Sequence, residues 1–242
     1  MKNFSEHVPR FLFEVTHPTL YHHYRISLII PCYNEEEGLP YVLEKIPDWV
    51  DEVLIVDNNS TDTTAELARE SGARVFKEEQ QGYGHAYFKG FSEASGDIFI
   101  TMDGDGTYPP EEIERLLGIL TKEELDFISA CRFPLSNPKN MDPVSKFGNW
   151  VLTVTSRILF GYSLKDSQSG MWVFHRECLD KIRLESRGMA FSEEIKIEAI
   201  RRDLKFKEVH IPYHLRFGKK KIKKFQDGIK NLWFLFKLRF RK

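Results

Sequence analysis

Short apolar runs recur along the chain with a helical stretch between each pair, and few folds accommodate that alternation. Residues 26–30 (Ile-Ser-Leu-Ile-Ile) are closed by Pro31, and residues 53–56 (Val-Leu-Ile-Val) by Asp57-Asn-Asn-Ser60; runs at 73–77, 97–102 and 126–130 follow. The first, short and nearly continuous, reads as a strand buried on both faces, and the others as further strands. Residues 37–46, 61–71, the stretch from Gly82-Tyr-Gly84 through Ala94, and 111–120 have helical spacing, with Asp62 near the start of the second. Strand and helix in alternation predict an α/β fold whose mostly parallel sheet is covered by helices on both faces. The second half is looser, with a long apolar helix at 144–160, a strand at 168–175, a helix at 191–202 and a last strand at 206–211. The helix at 144–160 is too short to span a bilayer comfortably and is expected as core or as a partly lipid-facing lid.

Sheets of this kind bind ligands outside the carboxyl ends of their strands. The polar loops 32–37, 57–62 and 103–108 all follow strands and gather at that edge. The last of them, Asp103-Gly-Asp105, puts two carboxylates on one side of an extended chain, with Gly104 leaving room between them. Such a pair suits a hard divalent cation. Mg²⁺ takes one or two protein carboxylates plus substrate phosphates, so a nucleoside diphosphate is the natural third party. The same letters also describe a solvated acidic turn ahead of a helix that starts at Pro109-Pro110.

Length and charge narrow the class. With 242 residues, 41% hydrophobic and 29% charged, the chain is sized for one large globular domain. The near-zero net charge of -1 hides an asymmetry, because residues 214–242 carry eleven Lys or Arg against the single acid Asp227. A basic tail on an acidic body is expected to meet phosphate or an anionic surface. Three widely spaced cysteines fit a reducing, cytosolic setting, and neither a signal peptide nor a run of eighteen apolar residues is present. Residues 1–24 read as an N-terminal extension in which the adjacent His22 and His23 are no metal pair.

Several chemistries are excluded. Gly82-x-Gly84 lacks the third glycine of a dinucleotide fingerprint, that position being Tyr87, and no phosphate-loop Gly-Lys motif or Gly-x-Ser-x-Gly elbow occurs. His210 and His214 are separated by Pro212 and cannot pair on a helix.

Taken together, Ile30-Pro-Cys-Tyr-Asn-Glu-Glu36, Val56-Asp-Asn-Asn-Ser-Thr-Asp62, Gly82-Tyr-Gly-His-Ala-Tyr-Phe-Lys-Gly90 and Asp103-Gly-Asp105 resemble the inverting nucleotide-sugar glycosyltransferases of family 2, which have a GT-A fold. Asp166-Ser-Gln-Ser-Gly170 and Arg216-Phe-Gly-Lys-Lys-Lys221 are similar to late motifs of the polyprenyl-phosphate hexose synthases, the dolichyl-phosphate mannose or glucose synthase group. The resemblance implies a catalytic domain over 25–213. Residues 214–242, where Trp233, Phe234, Leu235, Phe236, Leu238 and Phe240 interleave with Lys237, Arg239 and Arg241, read as a basic, membrane-interfacial segment, or as a terminal helix docked on the body. The resemblance further implies that Pro31, Tyr33, Asn34, Glu35, Asp57, Asn58, Gly82, Gly84, Asp103 and Gly104 bind the nucleotide sugar. Asp103, Asp105 and Thr107 would hold Mg²⁺ or Mn²⁺, with Thr107 standing where relatives often have Gln. Asp105, Arg132 and Asp166 would serve catalysis, and Ser169, Gly170, Arg216 and Lys221 would meet the acceptor and its phosphate.

The expected reaction moves a hexose from a UDP- or GDP-sugar to dolichyl or polyprenyl phosphate at the cytosolic face of a membrane, with no nucleic acid involved. A phosphate oxygen is already anionic and needs no strong base. A saccharide hydroxyl acceptor, the nearest alternative, would need one, from Asp166 or from Glu193 or Glu194, a pair that helical spacing would leave solvated. The alternative from another class is a non-catalytic binding module working through the basic tail.

Overall fold

The computed structural model describes residues 23–218 and 224–241. Residues 1–22 and Lys221 lie outside them, and with them the expected N-terminal extension and one expected phosphate ligand. Seven strands form one sheet: β1 (Ile26–Cys32), β2 (Glu52–Asp57), β3 (Arg74–Lys77), β4 (Ile98–Thr101), β5 (Phe127–Cys131), β6 (Trp172–His175) and β7 (Phe206–His210), in the order β3-β2-β1-β4-β6-β5-β7. All pairings are parallel except the two that β6 makes with β4 and β5. β6 thus enters the sheet backwards, and its first residue lies at the edge where the other strands end.

The intervening helices are α1 (Leu39–Lys45), α2 (Thr64–Glu70), α3 (Tyr83–Glu93), α4 (Ile113–Lys122), α5 (Pro143–Phe160), the single turn α6 (Cys178–Lys181), α7 (Phe191–Arg201) and α8 (Lys224–Arg239). Alternating strand residues divide between two cores, as a pleat requires. Leu28 and Ile30 pack with Leu39 and Val42 of α1 and Leu116 of α4 on one face. Ile29 and Val56 pack with Tyr87 and Phe91 of α3 and Phe191 of α7 on the other. The helix expected at 144–160 is α5, started by Pro143 and by Asp142 accepting from Ser145 N at 3.0 Å, and stopped by Gly161 at φ 75°. It buries Leu152 but exposes Val144, Phe147, Trp150 and Ile158, so it is core on one side only. A third small core joins Leu152 of α5 and Ile197 of α7 to Leu235 and Leu238 of α8.

Two expectations change. The strand expected at 168–175 covers only Trp172–His175, because Ser167 to Gly170 are held by side chains instead of a ladder. Glu193 and Glu194 are not a solvated pair: α7 is covered on all sides and both carboxylates are fully buried. Backbone N–H groups of Glu185 and Ser186 and the Arg241 guanidinium satisfy Glu194, and Gln168 Nε2 donates to Glu193 at 2.8 Å. Burial pushes the Glu193 carboxyl well up from the usual range.

Candidate active site

Strand order reverses at β1, whose neighbours are β2 on one side and β4 on the other. The loops leaving β1 and β4 therefore part at the carboxyl edge, and a crevice opens between them. The β1 loop turns at Asn34, which adopts φ 54°, a conformation that Asn tolerates better than most residues. Asn34 accepts from Thr61 N at 2.7 Å and donates its own N–H to Ser60 Oγ, fastening this loop to the one after β2. Asp57 closes β2 and accepts from Ser60 N. Asn58 donates to the carbonyls of Glu78 and Gln80 and accepts from Gly82 N at 2.7 Å, fixing the approach to α3.

The β4 loop carries the paired carboxylates. Gly104 lies over β1 so closely that a Cβ there would stand 2.7 Å from Cys32 Sγ. Asp105 Oδ1 accepts from Thr107 N at 2.9 Å and Thr107 Oγ1 at 2.6 Å, so the Thr107 hydroxyl orients this carboxylate. Asp103 Oδ1 accepts from Tyr83 OH at 2.9 Å. Burial, and then the neighbouring Asp105 carboxylate, push Asp103 up to about 7 despite that bond and the nearby Arg216. A half-buried and a buried carboxylate that resist holding two negative charges are the residues that could hold part of a cation's shell. Among the described residues no three His, Cys, Asp or Glu converge on one point, so oxygens from a ligand would complete the shell.

Arg216 reaches this site on a strap. His214 N donates to Thr107 O and Phe217 N to Asp105 O, both at 2.9 Å, while the Phe217 ring packs on Tyr41 with centroids 4.9 Å apart. Arg216 Nη1 then pairs with Asp105 Oδ2 and Nη2 with Glu35 Oε1. Opposite, the segment 183–190 crosses the start of α3. His85 N donates to Arg187 O at 3.1 Å, and a Cβ on Gly84 would stand 2.2 Å from Ser186 O, so only glycine permits the crossing.

Arg132 and Asp166 come together beside this crevice in a buried fork. Arg132 Nε and Nη2 donate to the two Asp166 oxygens at 2.7 Å each, and Arg132 N adds a third bond at 3.0 Å. Arg132 and its hydrogen bonds hold Asp166 below the usual carboxylate range despite complete burial. Ser169 is buried and donates its hydroxyl to Ala130 O, while Gly170 N donates to Tyr108 OH at 2.7 Å.

The carboxylates line a cavity of about 890 Å³, together with Pro31, Tyr33, Glu35, Asn58, Gly82 and Arg216. Asp57, Arg132, Asp166, Ser169 and Gly170 support its surroundings without lining it. The cavity also has a wall that sequence reasoning did not find. Tyr83 went unnoticed between two motif glycines, and Met189, Lys230 and Trp233 line the cavity from segments with no motif of their own. Lys230 and Trp233 were legible only as part of a basic amphipathic tail.

The profile of the family described as glycosyl transferase family 2 matches residues 27–183. The low-salt glycan biosynthesis hexosyltransferase Agl6 of Haloferax volcanii is 33% identical over 87% of this chain, which spans only 52% of that relative's length. The dolichyl-phosphate hexose transferase of the same organism is 32% identical, with 84% of this chain and 89% of that protein covered. Glucosyl-3-phosphoglycerate synthase from Mycobacterium tuberculosis, crystallised with Mn²⁺ and UDP, has the same fold at a TM-score of 0.72 and 23% identity, covering 89% of this chain and 80% of that one.

Proposed function

Because the chain belongs to glycosyl transferase family 2, we propose that it moves a hexose with inversion from a UDP- or GDP-sugar to a polyprenyl phosphate, dolichyl phosphate being the preferred acceptor. The observation that carries the reading is the carboxylate pair of half-buried Asp103 and buried Asp105, just past β4, facing a cavity that also holds Glu35, Asn58 and Arg216. The acceptor class is supported by the relative named for dolichyl-phosphate hexose transfer. Residues 25–213 form the catalytic domain in this reading, and 214–242 a basic segment that rests on the cytosolic face of a membrane. Among the described residues no helix is long and apolar enough to cross one.

The loops after β1 and β2 receive the nucleoside, with Tyr33, Glu35 and Asn58 nearest to it. Asp103 and Asp105 fit a divalent cation, which when bound supplies positive charge to the departing diphosphate. Arg216, carried by its strap to Asp105, is placed to bind diphosphate oxygens through its planar fork. The acceptor's phosphate oxygen attacks C1 of the hexose, the bond from C1 to the donor's diphosphate oxygen breaks, and its electron pair leaves with the nucleoside diphosphate. No proton is transferred. Asp166 is therefore not required as a base, and its carboxylate holds Arg132 in position instead.

The test is transfer of radiolabelled hexose from a panel of UDP- and GDP-sugars into organic-extractable lipid, with Mg²⁺ or Mn²⁺. Asp105→Ala is expected to lose about a hundredfold or more of the transfer rate. Label that stays in water, or that moves to free saccharides, would overturn the lipid acceptor. Absence of any donor turnover would overturn the enzyme.

A further inference from the structure

The cavity has two chemically distinct sides. One is the carboxyl edge of the sheet, with Asp103, Asp105, Glu35 and Arg216; the other is apolar and comes from Met189, Ala190 and the α8 residues Ile229, Trp233 and Phe234. A nucleotide sugar accounts for the first side and has no use for the second. Among the described residues two cations line the cavity, Arg216 and Lys230. Arg216 is taken up by Asp105 and Glu35 on the donor side. Arg132, beside the site, is locked in its fork with Asp166. Lys230 is exposed and makes no ion pair among the described residues, and Asp227, one turn earlier on the same wall, is already engaged.

The placement of this wall is built in. On its inner face α8 buries Asn231, Leu235 and Leu238. Asn231 Nδ2 donates to Gln168 Oε1 at 3.1 Å, and Gln168 in turn donates to the buried Glu193, so α8 is tied to the loop that enters β6. Ile229, Lys230, Trp233 and Phe234 follow helical i, i+3 and i+4 spacing and share the face turned to the cavity. Trp233 borders the cavity while remaining two-thirds exposed, which puts it at the mouth.

Resting on the lipid-phosphate acceptor reading above, we infer that α8 is the acceptor wall of this active site. Lys230 binds the acceptor's phosphate, and Ile229, Trp233 and Met189 receive the first prenyl units of its chain. A cation followed within one turn by large apolar side chains matches an amphiphile with an anionic head and a hydrocarbon tail. A saccharide would leave the apolar side unfilled.

A short, water-soluble prenyl phosphate such as geranyl phosphate, used without membranes, separates recognition in the site from attachment to a bilayer. Lys230→Met is expected to raise KM for geranyl phosphate about tenfold, far more than it changes KM for the nucleotide sugar, and Lys230→Arg to restore most of the loss. Trp233→Ala is expected to raise KM for geranyl phosphate more than for methyl phosphate, because only the former has a chain to seat. Unchanged acceptor KM in both variants, or equal loss for donor and acceptor, would overturn the inference. If wild-type protein uses no prenyl phosphate at all, the acceptor reading itself fails, a result distinguishable from an active enzyme indifferent to Lys230. Thermal melts of the variants separate loss of fold from loss of binding.

Discussion

Arg132 and Asp166 show how one pair of residues can matter to a site without lining it. The fork is almost wholly buried, and each partner is the other's main compensation for leaving water. Removing one strands the other. Asp166→Ala should therefore cost about 3 kcal/mol or more, read as a lower denaturant midpoint. Nearby, Lys196 is fully buried and donates to the carbonyls of Asp166 and Ser169 at 3.0 and 2.9 Å. Burial lowers its amine from 10.5 to about 8, against the opposing pull of Asp166 and Glu208. Between those two values the unfolded chain binds the extra proton, so the Lys196 contribution to stability should rise as pH goes from about 8 toward 10. The buried thiols of Cys32, Cys131 and Cys178, held up by burial, pull total stability the other way in this range, so the readout is the difference in denaturant midpoint between wild type and Lys196→Met, which should shift in favour of the wild type as pH rises. None of this was legible in the sequence, because spacing on α7 marks Glu193, Glu194 and Lys196 as polar but says nothing about the layers that cover all its sides.

At the level of elements, β1, β2, β4 and β5 were legible because each is a largely apolar run with a polar stop, whereas β3, Arg-Val-Phe-Lys at the sheet's edge, was legible by its place in the alternation. The carboxylates after β4 were legible for the same reason, since a strand end fixes where Asp103 and Asp105 must lie. The reversed direction of β6 was not, because four residues of Trp-Val-Phe-His read alike in either direction. α8 was seen only as a basic amphipathic segment; its role as a cavity wall depends on contacts far away in the chain, Gln168 and Ile197 among them. Those contacts set its stability. Leu235→Ala, which empties the middle of the small core shared by α5, α7 and α8, should cost about 3 kcal/mol and speed amide exchange in α8 more than in the sheet.

For the molecule as a whole, α5 and α8 pack on each other and both expose large apolar groups, including Phe147, Trp150 and Ile158 on the first and Phe225, Trp233 and Phe236 on the second. With Lys237 and Arg239 beside them, these helices suit the interface of an anionic bilayer. The protein should float with vesicles containing anionic lipid more than with neutral ones. Salt should weaken that binding without abolishing it, and Trp150→Ala with Trp233→Ala should weaken it further in salt. Equal binding to both vesicle types would remove the electrostatic part of this account. The strand order has a consequence for the order of assembly. β1 to β4 are contiguous in the sheet and complete by residue 101, whereas the far edge of β4 is paired by β6, which begins at residue 172. During synthesis from the N-terminus, the β1–β4 half can therefore settle first, with one open sheet edge that stays unpaired until some seventy further residues have emerged.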